Sequence, residues 1–241
     1  MKMYLTSVAS CLENIESFKN LINKDTRLVV LPFSYHKDYI NCAEDIWNHF
    51  DRDVNNTNSM YWQCVRPFID AGLNSDNITI INQYTDPHSY IKYKISRPNT
   101  IVYLPGGFPE NIMSNLYKYD LYKDIRHCYC LVGESAGSMV PYADFFVYRD
   151  RDYACYAKYK GLRLIYDVAL LPHFDPANQD IVEACNKFSK ARPKVKIYCV
   201  MDGGYVAYDK GKLTECHKTF VFKRRKTKNT KKTKGFVKYI K

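Results

Sequence analysis

Ser135 stands between two glycines in Gly133-Glu134-Ser135-Ala136-Gly137, and the apolar run Cys128-Tyr129-Cys130-Leu131-Val132 leads into it. Residues of these types in this order form a nucleophile elbow, in which a strand turns sharply into a helix with the serine at the apex. The flanking glycines admit strained backbone and close approach of neighbouring chain. Such a turn lifts the hydroxyl clear of the sheet and leaves the amide of Ala136 facing whatever the serine attacks. On its own the pentapeptide also fits an ordinary strand-to-helix turn. Its surroundings have to decide.

A nucleophilic serine needs a base, an acid to orient that base, and donors for the oxyanion. Six histidines are available. His36 and His49 lie in a polar N-terminal region, His88 follows Asp-Pro in an expected loop, His127 ends a helix, and His217 precedes a basic tail. His173, in Leu171-Pro172-His173-Phe174-Asp175, follows a long apolar strand, where a catalytic base belongs. For the orienting acid the candidates are Asp202, ahead of Gly203-Gly204, and Asp150 or Asp152 in the alternating run Arg149-Asp150-Arg151-Asp152. Asp202-Gly203-Gly204 also fits a tight turn between strands, and the Arg-Asp run a solvated turn. The oxyanion donors would be the Ala136 amide and one from Gly106 or Gly107, since a diglycine permits close backbone approach.

Strands and helices alternate around these residues. Residues 4–8 read as a strand; Ser10-x-x-Glu13 reads as a capping box opening a helix with Leu12, Ile15, Phe18, Leu21 and Ile22 on one face. Residues 28–31, 78–81, 100–104, 145–148, 162–171 and 196–200 read as strands, and 42–50 and 59–71 as helices. Asp175-Pro176 is expected to cap and start another helix. Residues 205–208 are expected to pair as a hairpin arm with 219–222. The fold class is three-layer α/β with a largely parallel sheet, whose chemistry belongs at the carboxyl ends of the strands.

Composition bounds the rest. The 241 residues suffice for a full core, and 46% hydrophobic with 25% charged residues is globular. No stretch reaches about 18 uninterrupted apolar residues, so no membrane span is expected. The N-terminus carries no signal-peptide pattern, and nine cysteines are expected as reduced thiols in a cytoplasmic protein. His127-Cys128-x-Cys130 lacks the second ligand pair of a metal site, so no metal and no cofactor are expected. The net charge of +11 is local: eleven Lys/Arg and no Asp or Glu lie between Lys218 and Lys241. Residues 1–222 are expected to form one domain and 223–241 a basic tail ending in a short strand at Phe236–Ile240. Such a tail suits contact with nucleic acid or another polyanion. Without stacking aromatics or a binding module, a solvated segment is the favoured reading.

Two serine architectures compete. The α/β-hydrolase esterases use the same pentapeptide but place their histidine far downstream, whereas His173 follows Ser135 by 38 residues. They also use a His-Gly-Gly oxyanion loop, and here Pro105-Gly106-Gly107 stands instead. The order Gly-Gly, Gly-x-Ser-Ala-Gly, Pro-His-Phe, Asp-Gly resembles the dipeptidase E and cyanophycinase family of serine peptidases, over roughly Met3 to Phe222. This resemblance implies a class I glutamine amidotransferase-like fold with Ser135 as nucleophile and His173 as general base. Asp202 would be the orienting acid, with Asp150 as second choice, and Gly107 and Ala136 the oxyanion donors. The implied substrate is a short peptide, and no oligomeric state follows. Phe108-Pro109 replaces the family's usual asparagine after the diglycine, and Asp202 replaces a glutamate. The family's aspartate-recognising arginine has no counterpart between Asp175 and Lys187, which counts against aspartyl specificity. Two alternatives are a catalytically inactive or regulatory protein whose tail binds a polyanion, and an amidase or esterase on the same scaffold.

Overall fold

The computed structural model describes residues 1–53, 55–56, 59–224 and 235–239. From the N-terminus run β1 (Lys2–Thr6), a 3-10 turn (Ala9–Asn14), α1 (Glu16–Lys19), β2 (Arg27–Val30), α2 (Ala43–His49), α3 (Met60–Asp70), β3 (Ile78–Ile80) and α4 (His88–Ser96). There follow β4 (Thr100–Leu104), α5 (Pro109–Lys118), α6 (Tyr122–Ile125), β5 (Cys130–Glu134), α7 (Ala136–Met139), β6 (Asp144–Val147) and β7 (Ala157–Lys160). The chain ends with β8 (Val168–Leu171), α8 (Gln179–Ala191), β9 (Lys196–Asp209), β10 (Lys212–Arg224) and β11 (Gly235–Tyr239). Strands β1, β5, β4, β2 and β3 lie side by side and parallel, while β9, β10 and β11 extend the sheet antiparallel beyond β1.

Alternation along the strands sets the layers, because successive side chains point to opposite faces. Met3, Leu5, Val29, Leu31, Val102, Leu104 and Leu131 face one core with α4, α5, α6 and α7. Tyr4, Leu28, Val30, Ile101, Tyr103, Cys130 and Val132 face the other, with the 3-10 turn, α1, α2 and α3. A third cluster seats Phe188 and Cys185 of α8 on Ile197 and Cys199 of β9, and the Phe188 ring stacks on Phe146 with centroids 4.6 Å apart. This is a three-layer α/β fold.

Strand β9 is the unusual element. One edge carries β10 along its length; the other carries β8 beside Lys196–Cys199 and β1 beside Tyr205–Asp209. Since β8 runs parallel and β1 antiparallel to β9, their carboxyl ends converge on its middle, residues 200–204. Ser7 N donates to Gly204 O at 3.1 Å, and Phe174 N to Val200 O at 3.0 Å. Asp202 therefore sits within a continuous strand, not at a strand end or in a turn as expected.

Several local expectations need correction: the strand expected over 162–171 is confined to Val168–Leu171, and His88, expected in a loop, opens α4. Ser10 and Glu13 form no capping box: residues 9–19 make a 3-10 turn and a short helix separated by Ile15, whose backbone is extended. The Ala9 amide is taken by Glu134 Oε1 at 2.9 Å, which ties this segment to the elbow; Leu12, Ile15 and Phe18 are buried nonetheless. Helix α8 starts at Gln179, not after Asp175, because Asn178 caps Asp180 N and Ile181 N while the Asp175 carboxylate accepts from Ala177 N. Residues 219–222 pair with 197–200 instead of 205–208. The two-residue turn Lys210-Gly211, both at positive φ, places Asp209 opposite Lys212, and irregularities between Leu213 and Glu215 and between His217 and Thr219 shift the register so that Thr219 meets Val200. Strand β11 lies on β10 with Phe220 opposite Tyr239. The charged run Arg225–Lys234 and residues 240–241 lie outside the described residues.

Candidate active site

Strand β5 delivers Ser135 at φ 46° and ψ −111°, a conformation that L side chains rarely adopt. Both neighbouring glycines are required by space. A Cβ at Gly133 would lie 2.3 Å from Gly137 O, and one at Gly137 only 1.9 Å from Leu104 O. The elbow is further tied by Ser135 N donating to Thr6 O at 3.0 Å. Its Glu134 side chain points away from the hydroxyl, accepting from Ala9 N and from the buried Tyr103 hydroxyl.

The residues picked from sequence meet here. His173 Nε2 lies 2.9 Å from Ser135 Oγ, and its Nδ1 lies 2.6 Å from Asp202 Oδ1. Asp202 is one methylene shorter than the glutamate the resemblance led us to expect. The convergence of β1 and β8 on mid-β9 brings its backbone close enough to span that gap. Asp150 lies elsewhere, on the turn after β6, where its Oδ1 accepts from the amides of Asp152 and Tyr153 at 2.8 and 2.9 Å. Among the described residues, four of the other five histidines have different company: His36 pairs with Asp38, His49 packs on Tyr35 and Phe50, His88 on Tyr119, and His217 on Tyr205.

Two buried serines belong to this arrangement without any sequence signal. Ser7, fully buried after β1, donates to Asp202 Oδ1 at 2.8 Å and accepts from the His173 backbone N–H at 2.9 Å. It thereby supports both the acid and a histidine whose own φ is 52°. Partial burial alone would raise the Asp202 pKa, but the Ser7 hydroxyl and the His173 imidazole outweigh it and hold the carboxyl below its ordinary value. Ser34, also fully buried, donates to Gly106 O at 2.6 Å while its carbonyl accepts from Phe108 N at 2.8 Å. That clamp sets the diglycine loop, where Gly107 has φ 135° and an added Cβ would meet Ser34 O at 2.7 Å. A Cβ at Gly106 would sit 3.3 Å from that of Ser135. The loop thus lies directly against the serine. Ala136 begins α7, so its amide has no acceptor within the helix.

Burial pushes Cys11 and Cys128 up to about 12, keeping both as neutral thiols. No group of three or more His, Cys, Asp or Glu among the described residues is arranged to hold a metal ion.

A serine on a strained elbow, touched by an imidazole whose second nitrogen meets a carboxylate, is the equipment of a serine hydrolase. The sequence model of peptidase family S51 matches residues 54–216, more than half the chain, and the protein belongs to that family. Members of this family are serine peptidases of the peptidase E type. Among solved structures, a candidate peptidase E from Listeria monocytogenes EGD-e superimposes with a TM-score of 0.59. The match covers 88% of this chain and 96% of that one at 16% identity, a likeness of fold. No curated protein matches the sequence. No helix among the described residues is long and apolar enough to cross a membrane.

Proposed function

We propose that this serine peptidase hydrolyses short peptides through Ser135, His173 and Asp202 by way of an acyl-enzyme. The observation that carries the reading is the pair of contacts on one imidazole, Nε2 to Ser135 Oγ at 2.9 Å and Nδ1 to Asp202 Oδ1 at 2.6 Å.

With Nδ1–H donating to Asp202, the Nε2 lone pair faces Ser135 and takes its proton as Oγ attacks the scissile carbonyl. Negative charge develops on the carbonyl oxygen, where the amides of Gly107 and Ala136 stabilise it. The imidazolium, stabilised by Asp202, then gives its proton to the departing amine, and the C–N bond breaks. Water enters, loses a proton to Nε2 and attacks the ester; the second tetrahedral species collapses to release the acid and restore Ser135. The role of Ser7 is to position Asp202 and the His173 backbone, not to touch substrate.

A site set among strand ends and loops suits small substrates. The test is turnover of a dipeptide and tripeptide panel by the full chain and by Ser135→Ala. Loss of about 10⁴-fold or more in kcat for the variant is expected; undiminished hydrolysis by Ser135→Ala would remove Ser135 from the reaction.

A further inference from the structure

The cavity that opens beside Ser135 and His173 has a volume of about 550 Å³, within the ~300–1,000 Å³ of small-ligand pockets. Its inner wall is apolar. Met139, Phe146, Val147 and Leu171 line it and are buried in the fold. Met139 follows the nucleophile by one turn of α7, and Leu171 precedes the His173 loop. Apolar surface therefore begins on both sides of the reacting centre.

The outer wall is the turn from Tyr148 to Tyr153, and it is braced. The Tyr153 hydroxyl donates to Glu110 Oε2 at 2.8 Å, and its ring packs on Phe108 with centroids 5.7 Å apart. Phe108 directly follows Gly107, so the wall is fastened to the same loop that faces the serine. Charge on this wall is at the rim. Asp150 and Asp152 flank Arg151, the one Lys or Arg lining the cavity among the described residues. The Arg151 side chain is 91% exposed, and among the described residues its one ion pair is with Asp152, at 3.4 Å. A substrate carboxylate entering the cavity would leave water for apolar walls with no buried cation to meet it, and would pass two carboxylates on the way.

From this we infer that the cavity is an apolar side-chain subsite. It selects short peptides that carry an uncharged aliphatic or aromatic side chain next to the scissile bond, with Met139 as a residue that sets its depth. The inference rests on the proposed role of Ser135 and goes beyond it by naming the substrate class.

The test uses the full chain and two dipeptide series, Xaa-Ala and Ala-Xaa, with Xaa as Leu, Met, Phe, Ala, Asp or Lys. Released amine gives kcat/KM, and a fluorophosphonate probe reports separately whether Ser135 reacts. In at least one series Leu, Met or Phe is expected to exceed both Ala and Asp by about tenfold or more, the discrimination an apolar pocket provides. Met139→Ala is expected to reduce the Leu-to-Ala ratio of kcat/KM within the preferred series, a ratio that partial misfolding would leave unchanged. Labelling of Ser135 together with a preference for Asp that Arg151→Ala abolishes would overturn the subsite while leaving the nucleophile intact. Absence of both labelling and peptide turnover would overturn the two readings together.

Discussion

Ser7 and Asp202, 195 positions apart in sequence, are joined by a 2.8 Å hydrogen bond from the serine hydroxyl to Oδ1. The same hydroxyl accepts the backbone N–H of His173 at 2.9 Å. One buried side chain thus links the ends of β1 and β8 to the middle of β9, where the acid sits. Ser7→Ala removes a donor from the carboxylate and strands a peptide N–H, so about 1–3 kcal/mol of stability is expected to be lost. The Asp202 pKa should rise with it. Activity that depends on ionised Asp202 should then fade at a higher pH than in the parent protein, a shift measurable in kcat/KM against pH.

Asp202→Asn keeps the shape but removes the charge that favours a proton on His173 Nδ1. A fall in kcat of about 10⁴-fold is expected, as for other triads deprived of the carboxylate. The carboxyl is held below its ordinary value of 3.8 in the fold. Its stabilising contribution is therefore complete above that value and disappears as pH falls through the depressed one. Acid-unfolding curves of parent and variant should differ most above pH 3.8 and converge below it.

Gly137→Ala places a methyl group where Leu104 O already stands, 1.9 Å away. The β4–β5 contact beneath the elbow would have to open, at a cost of about 1–3 kcal/mol or more. Thermal melting should report that loss, and fluorophosphonate labelling should slow because Ser135 Oγ moves away from Nε2. A parent-like melting temperature with parent-like labelling would show that the close approach is not needed.

Asp144 on β6 accepts from Lys160 on β7 at 2.7 Å and from Arg192 beyond α8 at 3.1 Å. Burial would raise its pKa, but the two cations prevail and hold the carboxyl low. Removing the acid leaves the half-buried Arg192 without its partner, so Asp144→Ala is expected to destabilise by about 2–4 kcal/mol in urea titrations at pH 7. The loss should shrink as pH falls through the depressed pKa, where the parent carboxylate also becomes neutral.

The parallel strands and the helices α2, α3 and α8 were legible because each carries either a continuous apolar run or a 3.6-residue stripe, whereas α4 and α5 were not read from the sequence. The elbow was legible because its two glycines stand where any Cβ would fall 2.3 Å and 1.9 Å from carbonyl oxygens. The family resemblance pointed to Asp202 as the acid, with Asp150 as second choice, yet the setting of Asp202 within a long strand could not be read. That setting depends on two strands meeting head-on along one edge of β9, a long-range event with no local sequence mark. Ser7 and Ser34 are single serines after short strands, and nothing in their neighbours distinguishes them from surface residues. The capping-box pattern at Ser10 misleads because a tertiary contact, Ala9 N to Glu134, takes over the start of that segment. Likewise the pairing of 219–222 follows from the turn at Lys210-Gly211 together with two register shifts along β10, not from the matching apolar runs on either side.

The central claim is that Ser135 is the nucleophile, activated by His173. Intact-protein mass spectrometry after brief exposure to a fluorophosphonate, followed by peptide mapping, tests it most directly. The expected result is one adduct, on the peptide containing Ser135, strongly reduced in His173→Ala. An adduct on a different residue, or labelling of Ser135 that proceeds equally fast without His173, would contradict it.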